Sequence, residues 1–172
     1  GERGLYVSTG SAGGVLYAYI YNNTIIDAYG YGMYLSQNWN TGTGSYYVRN
    51  NIIQGSGTQD YYVPDPSQCQ PTTSKNITSD TSSPDSSYRS KTVSFADRDN
   101  DDFHLSSSDT EARGNGDNLY NDSYLPFQDD IDGQDRGGSG ASWDIGADEF
   151  MPLLTQEGFR FRNDDGDEDG AT

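Results

Sequence analysis

Tyr19-Ile20-Tyr21-Asn22-Asn23-Thr24-Ile25 returns 28 positions later as Tyr47-Val48-Arg49-Asn50-Asn51-Ile52-Ile53. Gly4-Leu5-Tyr6-Val7-Ser8 returns at the same offset of 28 as Gly32-Met33-Tyr34-Leu35-Ser36, and Asp60-Tyr61-Tyr62-Val63 extends that second series. Three segments sharing one period mark an internal repeat. Each period holds short runs of alternating or continuous apolar residues, rich in Tyr, Ile and Val. They are separated by turn stretches such as Thr9-Gly10-Ser11-Ala12-Gly13-Gly14 and Asn40-Thr41-Gly42-Thr43-Gly44, a pattern of strands and turns. No useful 3.6-residue period is present and glycine is frequent, which excludes a helical solenoid. A repeat of strands and turns alone suits one coil of a parallel β-solenoid, each coil stacked on the next. Ile25 is then expected to stack on Ile53, and Leu5 on Met33 and on Tyr61 or Tyr62. The Asn pairs fall at equivalent corners, where asparagine tolerates the left-handed conformation and its amide can ladder to the next coil.

Outward from the repeat, the chain changes character. Its first 90 residues carry a net charge of −2, and residues 91–172 carry −15 of the total −17. Eleven of the 14 tyrosines precede residue 63. A β body feeding an acidic, irregular remainder is expected, since Tyr favours strands and Asp breaks them. The acidic field repels nucleic acid and anionic head groups. No apolar run approaches the roughly 18 residues of a membrane-spanning helix. One cysteine excludes a disulfide framework and a Cys-cluster zinc centre, and with one histidine, His104, a His-based metal centre or a Ser-His-Asp triad has almost nothing to draw on. The start at Gly1, without Met or an apolar leader, reads as that of a processed or excised piece.

The coils resemble the last turns of bacterial right-handed parallel β-helix proteins of the pectate-lyase-like superfamily. The likeness continues through Asn76-Ile77-Thr78-Ser79-Asp80, Val93-Ser94-Phe95, Asp102-Phe103-His104-Leu105-Ser106, Asp129-Asp130-Ile131-Asp132-Gly133-Gln134 and Trp143-Asp144-Ile145-Gly146-Ala147-Asp148-Glu149-Phe150. These look like the terminal segment of secreted "choice-of-anchor" β-helix proteins. Gln156 to Gly166 looks like the opening of a further surface-protein repeat module. The resemblance implies an all-β chain: β-helix coils over 1–66 (the last two to three coils), a loop-rich terminal cap over 67–150 packed on them, and an acidic tail or linker strand over 151–172. It also implies a bacterial protein that is secreted or held at the cell surface. It supplies no catalytic set, because enzymes of this superfamily carry theirs on coils that would lie upstream of Gly1.

Asp165, Asp167, Asp169 and Gly170 spell the first half of a calcium loop, the one metal assignment made from sequence, with Ca2+ as the cation. Its closing carboxylate would fall beyond Thr172, and a solvated tail is the plainer reading. Asp97, Asp99, Asp101 and Asp102 share the alternation without the glycine. Asp129, Asp130, Asp132 and Asp135 form a third cluster around an Asp132-Gly133 turn, with Arg136 expected as ion-pair partner. His104 reads as a satisfied structural histidine on a short strand. Trp143 reads as an anchor against the last coil, and Cys69 as an inert thiol in the Pro64–Pro71 loop. Asn22, Asn76 and Asn121 open N-glycosylation patterns. The tyrosine faces either fill a solenoid surface or stack on sugar rings.

Three functions follow as expectations. The first is a non-catalytic structural or adhesive module, with self-association or neighbouring domains as partners and filaments formed through its open coil edge and Gly158–Arg162. The second is a calcium-dependent glycan-binding module. The third is a remnant of a polysaccharide lyase or hydrolase, which rests on fold analogy alone.

Overall fold

The computed structural model describes residues 3–8, 15–37, 43–67 and 69–151. Nine short strands make three successive turns. The first is β1 (Arg3–Ser8), β2 (Val15–Tyr21) and β3 (Thr24–Ile26); the second is β4 (Tyr31–Ser36), β5 (Thr43–Arg49) and β6 (Ile52–Gln54). The third is β7 (Gln59–Tyr62), β8 (Thr72–Ser74) and β9 (Ile77–Thr78). They stack in three parallel sheets ordered β1-β4-β7, β2-β5-β8 and β3-β6-β9. The expected all-β, solenoid-like stacking is present, and Leu5 pairs with Met33, Met33 with Tyr61, and Ile25 with Ile53.

The coils run past residue 66. In the first two turns every partner is 28 residues away, but Tyr47 pairs with Thr72 and Ile52 with Ile77. The third turn is three residues shorter, and parallel stacking reaches Thr78.

Side-chain alternation explains the sheets. Met33 and Leu35 on β4, and Tyr46 and Val48 on β5, point inward into one buried cluster with Ile20, Ile53, Tyr61 and Cys69. Tyr34 and Tyr47 point outward, which is the period-2 signature of a sheet with one wet face. All three β6 residues, Ile52-Ile53-Gln54, are buried. Ile53 faces the interior, and Ile52 packs outward with Ile77, Val93, Leu105, Ala112 and Ile145. A strand covered on both faces reads as a continuous run.

The corner between the second and third sheets holds the asparagines. Asn22 and Asn50 take positive φ (50° and 54°), and Lys75 takes the same place in the third turn (54°). Beside them runs a second file. Asn23 Nδ2 donates to Asn51 Oδ1 at 2.9 Å, and Asn51 Nδ2 donates to Asn76 Oδ1 at 2.7 Å. Asn51 Nδ2 also reaches the Ile20 and Arg49 carbonyls at 2.8 and 3.0 Å. The expected ladder exists, and Asn76 is its third rung.

The remainder from Ser79 is mostly irregular. Its regular pieces are 3-10 turns at Ser86–Tyr88 and Arg98–Asn100 and an antiparallel pair, β10 (Phe95–Asp97) with β11 (Asp102–Leu105). Residues 79–82 close the end of the stack. Asp80 and Ser82 side chains accept from the β7 amides of Asp60 and Tyr61 at 3.0 and 2.9 Å. Asp60, 1% exposed, accepts in turn from the Ser79 amide at 2.7 Å.

Replacing Asn51 tests the ladder. Asn51→Ala leaves buried carbonyls and the Asn23 amide unserved, at about 1–3 kcal/mol for each group. It is expected to cost more than 3 kcal/mol in all (roughly two such groups) in urea unfolding. Asn51→Asp, which sets a carboxylate against two carbonyls, should cost at least as much. Asn23→Ala at the exposed top rung should cost about 1 kcal/mol. Equal losses at positions 23 and 51 would contradict the buried-ladder account.

Candidate functional site

The cap is fastened along the asparagine corner. Asn22 Nδ2 donates to the carbonyls of Asp144 and Gly146, and the Gly146 amide donates to the Asn50 carbonyl at 2.9 Å. Asn50 also exchanges two hydrogen bonds with the Asp117 backbone. Gly146 has φ 102°, and a Cβ there would lie 2.5 Å from Ile52 Cδ1, so glycine is required where the loop crosses the sheet. Asn22 is buried under the cap and Asn76 in the ladder, so neither glycosylation pattern can receive a sugar; Asn121 is exposed.

Arg136 organises the last block. It is 3% exposed, pairs with Glu149 Oε2 at 3.1 Å, and donates to the Gly146 and Ala147 carbonyls at 3.0 and 2.6 Å. The expected pairing with the Asp132-Gly133 turn is therefore corrected: a buried guanidinium takes the one carboxylate that enters its plane. Burial pushes the Glu149 carboxyl up to about 7, against the opposing pull of Arg136. Trp143 is fully buried in a cluster with Tyr21 and Leu119, against which Tyr19 of the first turn, Tyr47 of the second and Phe127 pack. The expected position against the last coil is corrected: the cluster draws its coil residues from the first two turns. Cys69 is 2% exposed and burial pushes its thiol up to about 11, which makes it inert at neutral pH.

The acidic clusters do not converge as their spacing suggests. Asp165, Asp167 and Asp169 lie outside the described residues. Asp97 accepts from Asn100 Nδ2 at 2.7 Å within its own turn. Asp130 accepts from the amides of Asp132, Gln134 and Glu149, and Asp135 from that of Gly137. Among the described residues one group with metal-ligand geometry remains, and it draws members from different segments. His104, Asp132 and Asp148 each offer a ligand atom, all within 4.8 Å of one another.

His104 is on the short strand β11, as expected, and both of its ring nitrogens have partners. Its Nδ1 meets Asp102 and its Nε2 meets Asp132 Oδ2 at 2.8 Å. The Asp102 bond first, then Asp132, raise its pKa to about 9, and the same contact holds Asp102 below the usual range. Asp148, 6% exposed, accepts from the Leu105 amide at 2.7 Å, and burial raises its carboxyl. The three border a groove of about 330 Å3 that Thr24, Phe103, Ile131 and Ala147 also line. Sequence spacing could not find this group, because a strand and two irregular segments bring it together.

A second groove, of about 550 Å3, lies between the cap and the second sheet and is lined by Arg49, Asn118, Asn121, Asp122 and Tyr124. Tyr124 stacks on Tyr19 and lies 4.6 Å from the Tyr47 ring. Among the described residues no helix is long and apolar enough to cross a membrane. Comparison with protein-family models, curated proteins and solved structures finds no match for this chain. Function therefore has to be argued from geometry.

The Arg136–Glu149 pair offers a test of how the cap holds. Arg136→Met strands a buried carboxylate and is expected to cost about 3–5 kcal/mol. Glu149→Gln, which keeps an oxygen for Arg136 and the Asp144 amide, should cost far less. Urea denaturation of both variants checks the asymmetry.

Proposed function

We propose that the chain is the closing end of a right-handed parallel β-helix, a non-catalytic structural or adhesive module of a secreted or cell-surface protein. The supporting observation is that the two ends of the stack differ. At one end β7 amides are already taken by Asp80 and Ser82 side chains. At the other, among the described residues, β1 and β2 pair on one side only, with β4 and β5. Repeat arrays need a terminal unit that hides the last edge, and an open edge invites a strand. The occupant that fits is a preceding coil of the same 28-residue period, since the β1–β4 and β2–β5 registers would simply continue. Right-handed connection is the strong preference for parallel crossovers. A closed end also argues against fibres built by stacking one copy on the next, so the filament expectation narrows to edge mating at the open end.

Hydrogen exchange tests this reading. In the isolated chain the amides of Arg3–Ser8 and Val15–Tyr21 that do not bond β4 or β5 should exchange quickly, while those of Asp60 and Tyr61 stay protected. In a chain extended by one further coil the first set should become protected. Equal protection of both ends in the isolated chain, or long fibres in light scattering, would overturn it.

A glycan-binding surface is the second reading, favoured by the groove in which Tyr124, whose ring joins the Tyr19–Tyr47 stack, borders amide, hydroxyl and charged groups. Aromatic faces with polar neighbours suit a pyranose ring. Binding to immobilised polysaccharides that Tyr124→Ala abolishes without changing the unfolding midpoint would support it; absence of binding by the wild type would remove it.

A further inference from the structure

We propose that His104, Asp132 and Asp148 bind one divalent transition-metal ion of the zinc type, a site independent of the structural reading above. Three segments that are far apart in sequence supply one donor each: β11, the Asp129–Asp135 turn and the block after Trp143. Ligand atoms around tetrahedral zinc sit at about 2.0–2.2 Å from the metal, hence about 3.4 Å from one another. Here Nε2 of His104 is 2.8 Å from Asp132 Oδ2, and all three donors fall within 4.8 Å. Side-chain shifts of about an ångström at exposed residues, judged against that tetrahedral spacing, complete the geometry.

Two features go beyond proximity. Asp102 engages Nδ1 of His104 and so leaves Nε2 as the metal-facing nitrogen. That is the carboxylate–histidine–metal order by which outer groups orient a ligand. Asp148 is 6% exposed and fixed through one oxygen by the Leu105 amide, while its other oxygen accepts no hydrogen bond among the described residues. That second oxygen is not sealed in the interior but borders the groove, where it is open to a cation. A protonated His104 already attracts Asp148 while its nitrogens face Asp102 and Asp132, so a metal ion binds there in competition with the imidazolium proton.

The donor set selects the ion. Calcium and magnesium prefer all-oxygen shells, whereas one imidazole with two carboxylates suits zinc, manganese or cobalt. Three protein ligands beside a groove of about 330 Å3 leave at least one coordination position open.

Titration of the chelator-treated full chain with Co2+ tests the site. Visible absorption bands should saturate at one equivalent, Zn2+ should remove them, and Ca2+ or Mg2+ at equal concentration should not. His104→Gln should abolish the bands, and the exposed change Asp132→Asn should weaken binding at least tenfold. Asp102→Asn, acting through His104, should weaken it about tenfold. The tail variant Asp165→Asn/Asp167→Asn/Asp169→Asn should bind as the wild type does. No saturable signal, equal competition by Ca2+, or binding lost in the tail variant and kept in His104→Gln would each overturn the proposal.

Discussion

The amide file Asn23–Asn51–Asn76 and its neighbour Asn22–Asn50 decide what else this chain can be. A corner that turns sharply between two sheets leaves backbone carbonyls and amides facing inward, where water cannot reach them. Asn51 and Asn76 are fully buried and take up those groups, Asn51 from Ile20 and Arg49 and Asn76 from Val48. The neighbouring file faces outward and does the same for the cap. Asn50 holds Asp117, and its carbonyl receives Gly146. Gly146 in turn sets Asp148, which receives Leu105 on β11 and thereby fixes His104. One residue type at one corner thus positions both the coils and the groove beside them.

The period was legible because stacking makes each side chain's neighbour its counterpart one coil away. Tyr19 over Tyr47 and Ile25 over Ile53 are the same environment met twice. Of the third turn, β7 keeps the offset of 28, but β8 and β9 escape the period because the connection before them is three residues shorter, which puts Asn76 at an offset of 25 against Asn51. The candidate site was not legible for a different reason. Asp102 and His104 are local, but Asp132 and Asp148 arrive on loops whose course no periodicity encodes. Arg136 was misassigned to its near neighbours in sequence, whereas its carboxylate partner is Glu149, fixed by a buried loop crossing.

The acidity of the second half also changes meaning in the structure. It is not only a solvated face. Asp109 accepts from the amides of Ser94, Ala112 and Arg113; Asp122 from Tyr124 and Leu125; Asp144 from Gly114 and Phe150. A segment with little ladder of its own must satisfy its amides in another way, and a short carboxylate does so within a turn. The composition that breaks strands is therefore the one that holds this cap in place.

Carboxylates used in that way have little left for a ligand, which is why sequence spacing such as Asp129, Asp130, Asp132 and Asp135 does not define a site. Asp130 is consumed by three amides and Asp135 by one. Asp132 is different: its Oδ2 meets only His104. Asp148 is different too, since a single amide takes one oxygen and its surroundings raise its carboxyl by burial. Such carboxylates, gathered with an imidazole beside open space, keep a demand for positive charge that the backbone does not meet. Most of the described aspartates serve backbone amides, and Asp132, which serves none, borders the groove beside Asp148.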